Sequence, residues 1–125
     1  MQTKISEDLI DVAQPVLSIV TPSLNHGRFL RQTIESVAAQ TFRSIEHIVV
    51  DGGSSDGTVE ILKEFPHVRW ISERDEHVVE AYQKALAMAR GRYIIQCCVS
   101  DGFLDLNWFR KCVEILEKDK EVSLV

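Results

Sequence analysis

No apolar run in this sequence approaches the roughly 20 residues that a membrane-spanning helix requires, so nothing in its 125 residues reads as a membrane span. Positive charge is also scarce: 14 Lys and Arg stand against 19 Asp and Glu, for a net charge of -5. A nucleic-acid polymer is excluded as a partner on this ground, because phosphate neutralisation needs a clustered basic surface. A single nucleotide is not. Cysteines number only three and lack zinc-site spacing. Cys97 and Cys98 adjoin inside an apolar run and Cys112 falls at a helical core spacing, so all are expected to be buried thiols. The four histidines, His26, His47, His67 and His77, share no repeating spacing and read as loop or surface residues. Residues 1–14 carry Lys4, Glu7, Asp8 and Asp11 and lack the basic-then-apolar layout of a secretory signal. They read as an N-terminal extension, and a cytoplasmic location is the expectation. Neither repeats nor low-complexity linkers divide the remainder, so residues 15–125 are expected to form one domain around one core.

What is present is a regular alternation of apolar patterns. Val16 to Thr21 is a β-branched run between Pro15 and Pro22, which predicts a short strand bounded by breakers. From Gly27, residues Leu30, Ile34, Val37 and Ala38 recur at steps of three and four, the period of a helix ending near Gln40. Ile45 to Val50 predicts a second strand, and Val59, Ile61, Leu62 and Phe65 a short helix capped by Ser55 or Asp56. Val68 to Ser72 follows as a third strand. A helix with the stripe Val78, Ala81, Tyr82, Ala85, Leu86 and Ala89 is expected to stop near Gly91. Tyr93 to Val99, interrupted only by Gln96, predicts a central strand buried on both faces. Phe109, Cys112, Val113 and Leu116 mark a last helix, with Asp105 as its cap, and Val122 to Val125 the start of another strand. The chain stops in that apolar run, where an intact protein is expected to continue. This order predicts an α/β fold: a doubly wound, mainly parallel sheet with helices on both faces, because parallel neighbours need helix-length crossovers.

In such sheets ligands bind beyond the carboxyl ends of the strands. Four polar segments end strands here: Thr21 to Asn25, Asp51 to Gly57, Glu73 to His77 and Ser100 to Gly102. Any one of them alone is as well explained as a solvated loop; their joint occurrence favours a site. Asp51 ends a strand and its carboxylate can accept from the N–H of a uracil or guanine edge. Gly52 and Gly53 let a ligand approach the backbone. Neither a Gly-x-x-x-x-Gly-Lys nor a Gly-x-Gly-x-x-Gly pattern occurs, which removes the P-loop and dinucleotide assignments. Asp56 is explained by helix capping without a ligand.

The strings Pro15-Val16-Leu17-Ser18-Ile19-Val20-Thr21-Pro22-Ser23-Leu24-Asn25, Gln40-Thr41-Phe42 and Val49-Val50-Asp51-Gly52-Gly53-Ser54-Ser55-Asp56-Gly57-Thr58 together resemble the family 2 glycosyltransferases of GT-A fold. The resemblance runs from about Val16 to Val125. It implies transfer of a hexose from a nucleotide diphosphate sugar, most commonly a UDP-sugar, to a saccharide, lipid-carrier or protein acceptor, as in polysaccharide and cell-envelope synthesis. It implies Mg²⁺ or Mn²⁺ as cofactor, and a site at the inner face of the membrane where the acceptor is a lipid. Donor-binding residues by this resemblance are Thr21, Pro22, Ser23, Asn25, Asp51, Gly52, Arg74, Asp75, Lys84, Ser100 and Asp101. The general base lies past the matched segment, so the chain is expected to bind donor without turning it over.

The sequence departs from the family pattern twice. Its copy of Asp-x-Gly-x-x-Asp-Ala-x-Asn-Lys-Gly keeps Asp75, Ala81 and Lys84 but has His77, Glu80, Gln83 and Ala85. Glu80 and Lys84 are also spaced as a helical ion pair. Where the family ends its fourth strand with Asp/Asn-x-Asp-Asp, this chain has Cys98-Val99-Ser100-Asp101. A thiol and a hydroxyl serve a hard divalent cation poorly. Asp101 is therefore the expected metal ligand of a weakened site, with Arg74 available to offset diphosphate charge. The competing reading is a silent nucleotide-binding or scaffold module that lost its metal ligands. A receiver-like signalling domain lacks support from a C-terminal lysine.

Overall fold

The computed structural model describes residues 14–99, 102–103 and 105–118, with the side chain of Val78 left out. Four strands are present in this range: β1 (Leu17–Ser23), β2 (Ile45–Asp51), β3 (Val68–Ser72) and β4 (Tyr93–Gln96). They alternate with α1 (Gly27–Ala38), α2 (Thr58–Leu62), α3 (Val78–Met88) and α4 (Trp108–Lys118). All pairings are parallel, in the order β3-β2-β1-β4, with Leu17 opposite both Ile45 and Tyr93 and Ser23 opposite Asp51. The order reverses direction beside β1, which creates the crevice where such sheets take ligands.

Alternation along the strands sends odd and even positions to opposite faces. Leu17, Ile19 and Val49 meet α1, α2 and α4 through Leu30, Ile34, Leu62 and Phe109. Val20, Ile48 and Val50 meet α3 through Ala81 and Ala85. Small residues on α3 let it sit close to the sheet. Helices therefore cover both faces, as the order of patterns predicts.

Several local expectations are corrected. Strand β1 runs through Pro22 instead of stopping there. Val16 and Val20 direct their carbonyls to β4, accepting from Tyr93 and Cys97, so the nitrogen of Pro22 turns to the same side, past the last pair with β4. No ladder bond is lost, which is where proline is tolerated. Strand β4 is shorter than the apolar run, and among the described residues it is not buried on both faces, with Ile94 43% exposed. His47 is not a surface residue: it sits inside β2 at 2% exposure. Glu80 does not pair with Lys84 but accepts from the Glu76 N–H, while Lys84 turns to Asp75 and Glu73. The N-cap of α2 is Gly57, in the left-handed region at φ 91, and Asp56 supports it by accepting from the Thr58 N–H. Asp105 accepts from the Asn107 N–H just ahead of α4. Cys97 and Cys112 are buried as expected, whereas Cys98 is half-buried. The terminal strand expected at Val122 to Val125 lies outside the described residues, as does the N-terminal extension short of Gln14.

Candidate functional site

The loops after β1, β2 and β3 meet at one edge of the sheet because parallel strands in register finish together, Ser23 beside Asp51 and Asp51 beside Ser72. Between them opens a cleft of about 370 Å³. Pro22, Ser23, Leu24 and His26 form one wall and Gly52 another. Asp75, Glu76 and His77 enter from the β3–α3 loop, Ala81 and Tyr82 from α3, and Cys98 and Val99 from beyond β4. Apolar surface alternates with a few polar groups, the usual make-up of a small-molecule site.

Of the residues expected to bind a donor, Pro22, Ser23, Gly52 and Asp75 line the cleft. Ser23 is nearly buried, and its hydroxyl has no hydrogen-bond partner among the described residues. Gly52 leaves the cleft wall low, since a Cβ there would lie 3.2 Å from the Asp75 carboxylate. The Asp75 side chain is 10% exposed and is ion-paired with Lys84, which also reaches Glu73 at 3.1 Å. The hydrogen bond to Asp75, reinforced by Glu73 against the cost of burial, holds the Lys84 ammonium above its ordinary pKa. Lys84 thus stands behind the cleft wall through Asp75, and Arg74 is exposed beside Gly53.

Asp51 occupies the floor of this edge but is turned away from solvent, at 0% exposure. Its carboxylate accepts from the N–H groups of Gly53 and Ser54 and from the hydroxyls of Ser54 and Ser72. It therefore shapes the turn that presents Gly52, with Gly53 in the left-handed region at φ 89. Asn25, at φ 53, ties the β1–α1 turn to that loop, accepting from the Ser55 N–H while its own N–H donates to the Ser54 hydroxyl. Asp56 completes the tie by accepting from the Gly27 N–H at the start of α1. Hydrogen bonds from the Thr58 hydroxyl and the Gly27 N–H hold its carboxyl below the usual range. Thr21 is buried within the sheet and bonded to the His47 imidazole at 2.8 Å. Ser100 and Asp101 lie outside the described residues.

The sequence placed Leu24 and His77 in its strand-end segments and Cys98 at the metal motif, but it did not single out His26 or Tyr82 as cleft residues. Tyr82 falls on the apolar stripe of α3, and period alone does not separate its end at the cleft from its core. Burial, with a contribution from Cys98, raises the Tyr82 hydroxyl pKa above its ordinary value. Among the described residues no three His, Cys, Asp or Glu side chains gather closely enough to hold a metal ion. The cleft carboxylate of Asp75 is already matched by Lys84, and the segment that follows β4 brings Cys98, a thiol, to the cleft. The described residues alone do not fit a hard divalent cation.

Comparison with known proteins bears on this edge. The sequence model described as glycosyl transferase family 2 matches residues 18–125. Chondroitin synthase of Escherichia coli is 33% identical over 115 residues, covering 89% of this chain, and the chain spans 17% of that relative's length. Among solved structures, the mannosyltransferase PcManGT of Pyrobaculum calidifontis, in complex with GDP-Man and Mn²⁺, superposes with a TM-score of 0.75 at 19% identity, covering 82% of this chain and 32% of that one. TarS 1-349 of S. aureus in complex with UDP-GlcNAc superposes at 0.69 and 19% identity, covering 82% of this chain and 31% of that one. The shared architecture is the GT-A fold.

Proposed function

The chain belongs to glycosyl transferase family 2, and from that premise we propose that residues 15–125 are the donor-binding part of a hexosyltransferase that takes its sugar from a nucleotide diphosphate. The observation that carries this reading is the cleft at the carboxyl ends of β1, β2 and β3, lined by Pro22, Leu24, Gly52, Asp75 and Tyr82. A base lies flat between Pro22, Leu24 and Tyr82, where apolar faces meet its rings. Gly52 admits the ligand to the backbone, and the exposed Arg74 offsets diphosphate charge as the glycosidic bond breaks. Asp51 and Asn25 act through the loop they hold. UDP is the proposed nucleotide and GDP the alternative, since the superposed TarS structure holds UDP-GlcNAc and that of PcManGT holds GDP-Man. The acceptor is a saccharide, lipid carrier or protein, with residence in the cytoplasm and peripheral contact with the membrane where the acceptor is a lipid. The likeness to a chondroitin synthase supports a polysaccharide product. A divalent ion, Mg²⁺ or Mn²⁺, is proposed to bind weakly through Asp101.

A thermal-shift screen of nucleoside diphosphates, with and without Mn²⁺, tests the reading. A selective diphosphate present at about 100 times its Kd stabilises the fold by about 2.7 kcal/mol through mass action. The same ligand should leave Gly52→Leu unshifted, because that side chain fills the cleft. If no diphosphate raises the midpoint, or if the blocked variant responds equally, the donor site is lost.

The presence of Cys98 at the cleft, without a carboxylate cluster among the described residues, favours a second reading, a silent nucleotide-binding module. Cys98→Asp combined with Ser100→Asp separates the two. A silent module gains metal affinity, whereas a working variant site loses activity or scarcely changes.

A further inference from the structure

A second cavity, of about 430 Å³, opens at the opposite edge of the sheet, where the strands begin. Its floor is the start of β2 and includes His47; Val37 and Phe42 give it an apolar wall, and Arg43, Arg69 and Arg90 surround it. Part of this charge has a structural task. Glu46, 5% exposed, accepts from Arg69 and Arg90 as well as from the Ser18 hydroxyl and the Arg90 N–H. Glu46 is thus already shared, and Arg43 adds a further positive charge to the same cavity. Among the described residues the Arg43 guanidinium makes one long hydrogen bond, 3.4 Å, to the Ala38 carbonyl, and it has no carboxylate partner. In a chain of net charge -5 the cavity is thus a local excess of positive charge.

The second observation is independent of the arginines. His47 is one of the residues around the cavity, and its Nδ1 is buried without a hydrogen-bond partner among the described residues. Its Nε2 lies 2.8 Å from the Thr21 hydroxyl. A neutral imidazole carries one donor and one acceptor, and the Thr21 hydroxyl can play either part. When Thr21 donates to Nε2, Nδ1–H is left as a buried donor that needs an acceptor, and a buried group left unpaired is costly. Arginines, a donor without a partner and an apolar wall describe one chemistry.

We propose that this cavity is a binding site for a small soluble organic anion, with a phosphate or carboxylate head among Arg43, Arg69 and His47 and an apolar body against Val37 and Phe42. It is separate from the donor cleft and does not depend on the reading of that cleft. Thr21 joins the two edges, since it lies on β1, whose end builds the cleft, while its hydroxyl orients the imidazole of the second site.

Nitrogen-detected NMR of the histidine rings in the full chain tests it, with phenyl phosphate and inorganic phosphate as probes. Phenyl phosphate should shift the His47 Nδ1 resonance saturably and bind about tenfold more tightly than inorganic phosphate, because only it has an apolar body. Arg43→Ala should weaken phenyl phosphate about tenfold, and Arg43→Glu should abolish it. Arg43 is exposed, so both variants should fold, which near-ultraviolet circular dichroism checks. Binding of UDP at the other edge should be the same in wild type and Arg43→Ala, so failure of one site is distinguishable from failure of the other. The proposal is overturned if the His47 resonance does not saturate, if the two phosphates bind equally, or if Arg43→Ala binds as wild type does.

Discussion

Asp51 and His47 sit four residues apart on β2 and show how a single side chain is read by its surroundings. Each oxygen of the Asp51 carboxylate accepts hydrogen bonds, from Gly53, Ser54 and Ser72 in all, so Asp51→Asn places an amide donor against groups that themselves donate. Leaving such buried donors unmatched costs about 1–3 kcal/mol. Urea unfolding should show that loss, and nucleotide affinity should fall with it as the loop relaxes. His47 has its pKa lowered to about 3, first by burial and then by the charge of His67, from an ordinary 6.5. The folded chain therefore refuses a proton that the unfolded chain takes. Stability is full above pH 6.5 and falls as the pH drops toward 3, by at most about 1.4 kcal/mol per unit. Glu46 acts in the same direction further into acid. Burial alone would raise its carboxyl, but hydrogen bonds from Ser18, Arg90 and Arg69 outweigh that and hold it low, so its contribution is lost below about pH 4.5. Unfolding midpoints measured from pH 7.5 to 4.5 should fall in wild type and flatten in His47→Leu, which removes the upper titration. A wild-type profile that stays level from pH 6.5 to 4.5 would contradict the buried neutral imidazole.

The elements were largely legible because their apolar periods are unbroken: α1 with Leu30, Ile34 and Val37, α3 with Ala81 and Ala85, α4 with Phe109, Cys112 and Leu116. What the period could not express is contact between elements. Gly91 was legible as a residue near a helix end, yet its main constraint is a neighbour: a Cβ there would lie 2.6 Å from the Ser18 nitrogen and 2.8 Å from the Leu17 carbonyl carbon. Those are backbone atoms and cannot swing away. Gly91→Ala should push β4 from β1 and lower stability by about 1–3 kcal/mol, the usual cost of overpacking. Thermal unfolding measures it, and a midpoint equal to wild type would show that the α3–β4 turn gives more freely than its packing suggests. The same limit explains the misplacement of Pro22 as a strand end, which depends on which side of β1 is paired, and pairing is a property of two segments.

At the scale of the whole molecule, the two edges of one sheet carry different chemistry. The carboxyl edge collects loops, Gly52 and the carboxylate of Asp75; the amino edge collects arginines around Glu46 and His47. Ligands at the two edges do not share residues, so UDP and phenyl phosphate together should raise the thermal midpoint by nearly the sum of their separate effects. Competition between them, seen as a combined shift no larger than the greater one, would place them in a single site.

By itself the sequence determined the order of strands and helices, the parallel sheet that follows from it, and the family, through the Asp51 to Thr58 string and the run ending at Asn25. Those are features of short segments, and short segments carry their own period and turn chemistry. Only the tertiary structure decided that Asp51 closes a loop, that Lys84 answers Asp75, that Tyr82 and Cys98 face the cleft, and that His47 lies buried against Thr21. Each of these depends on residues distant in the chain being brought within hydrogen-bonding or packing distance, and no local pattern records which distant partner a side chain will meet.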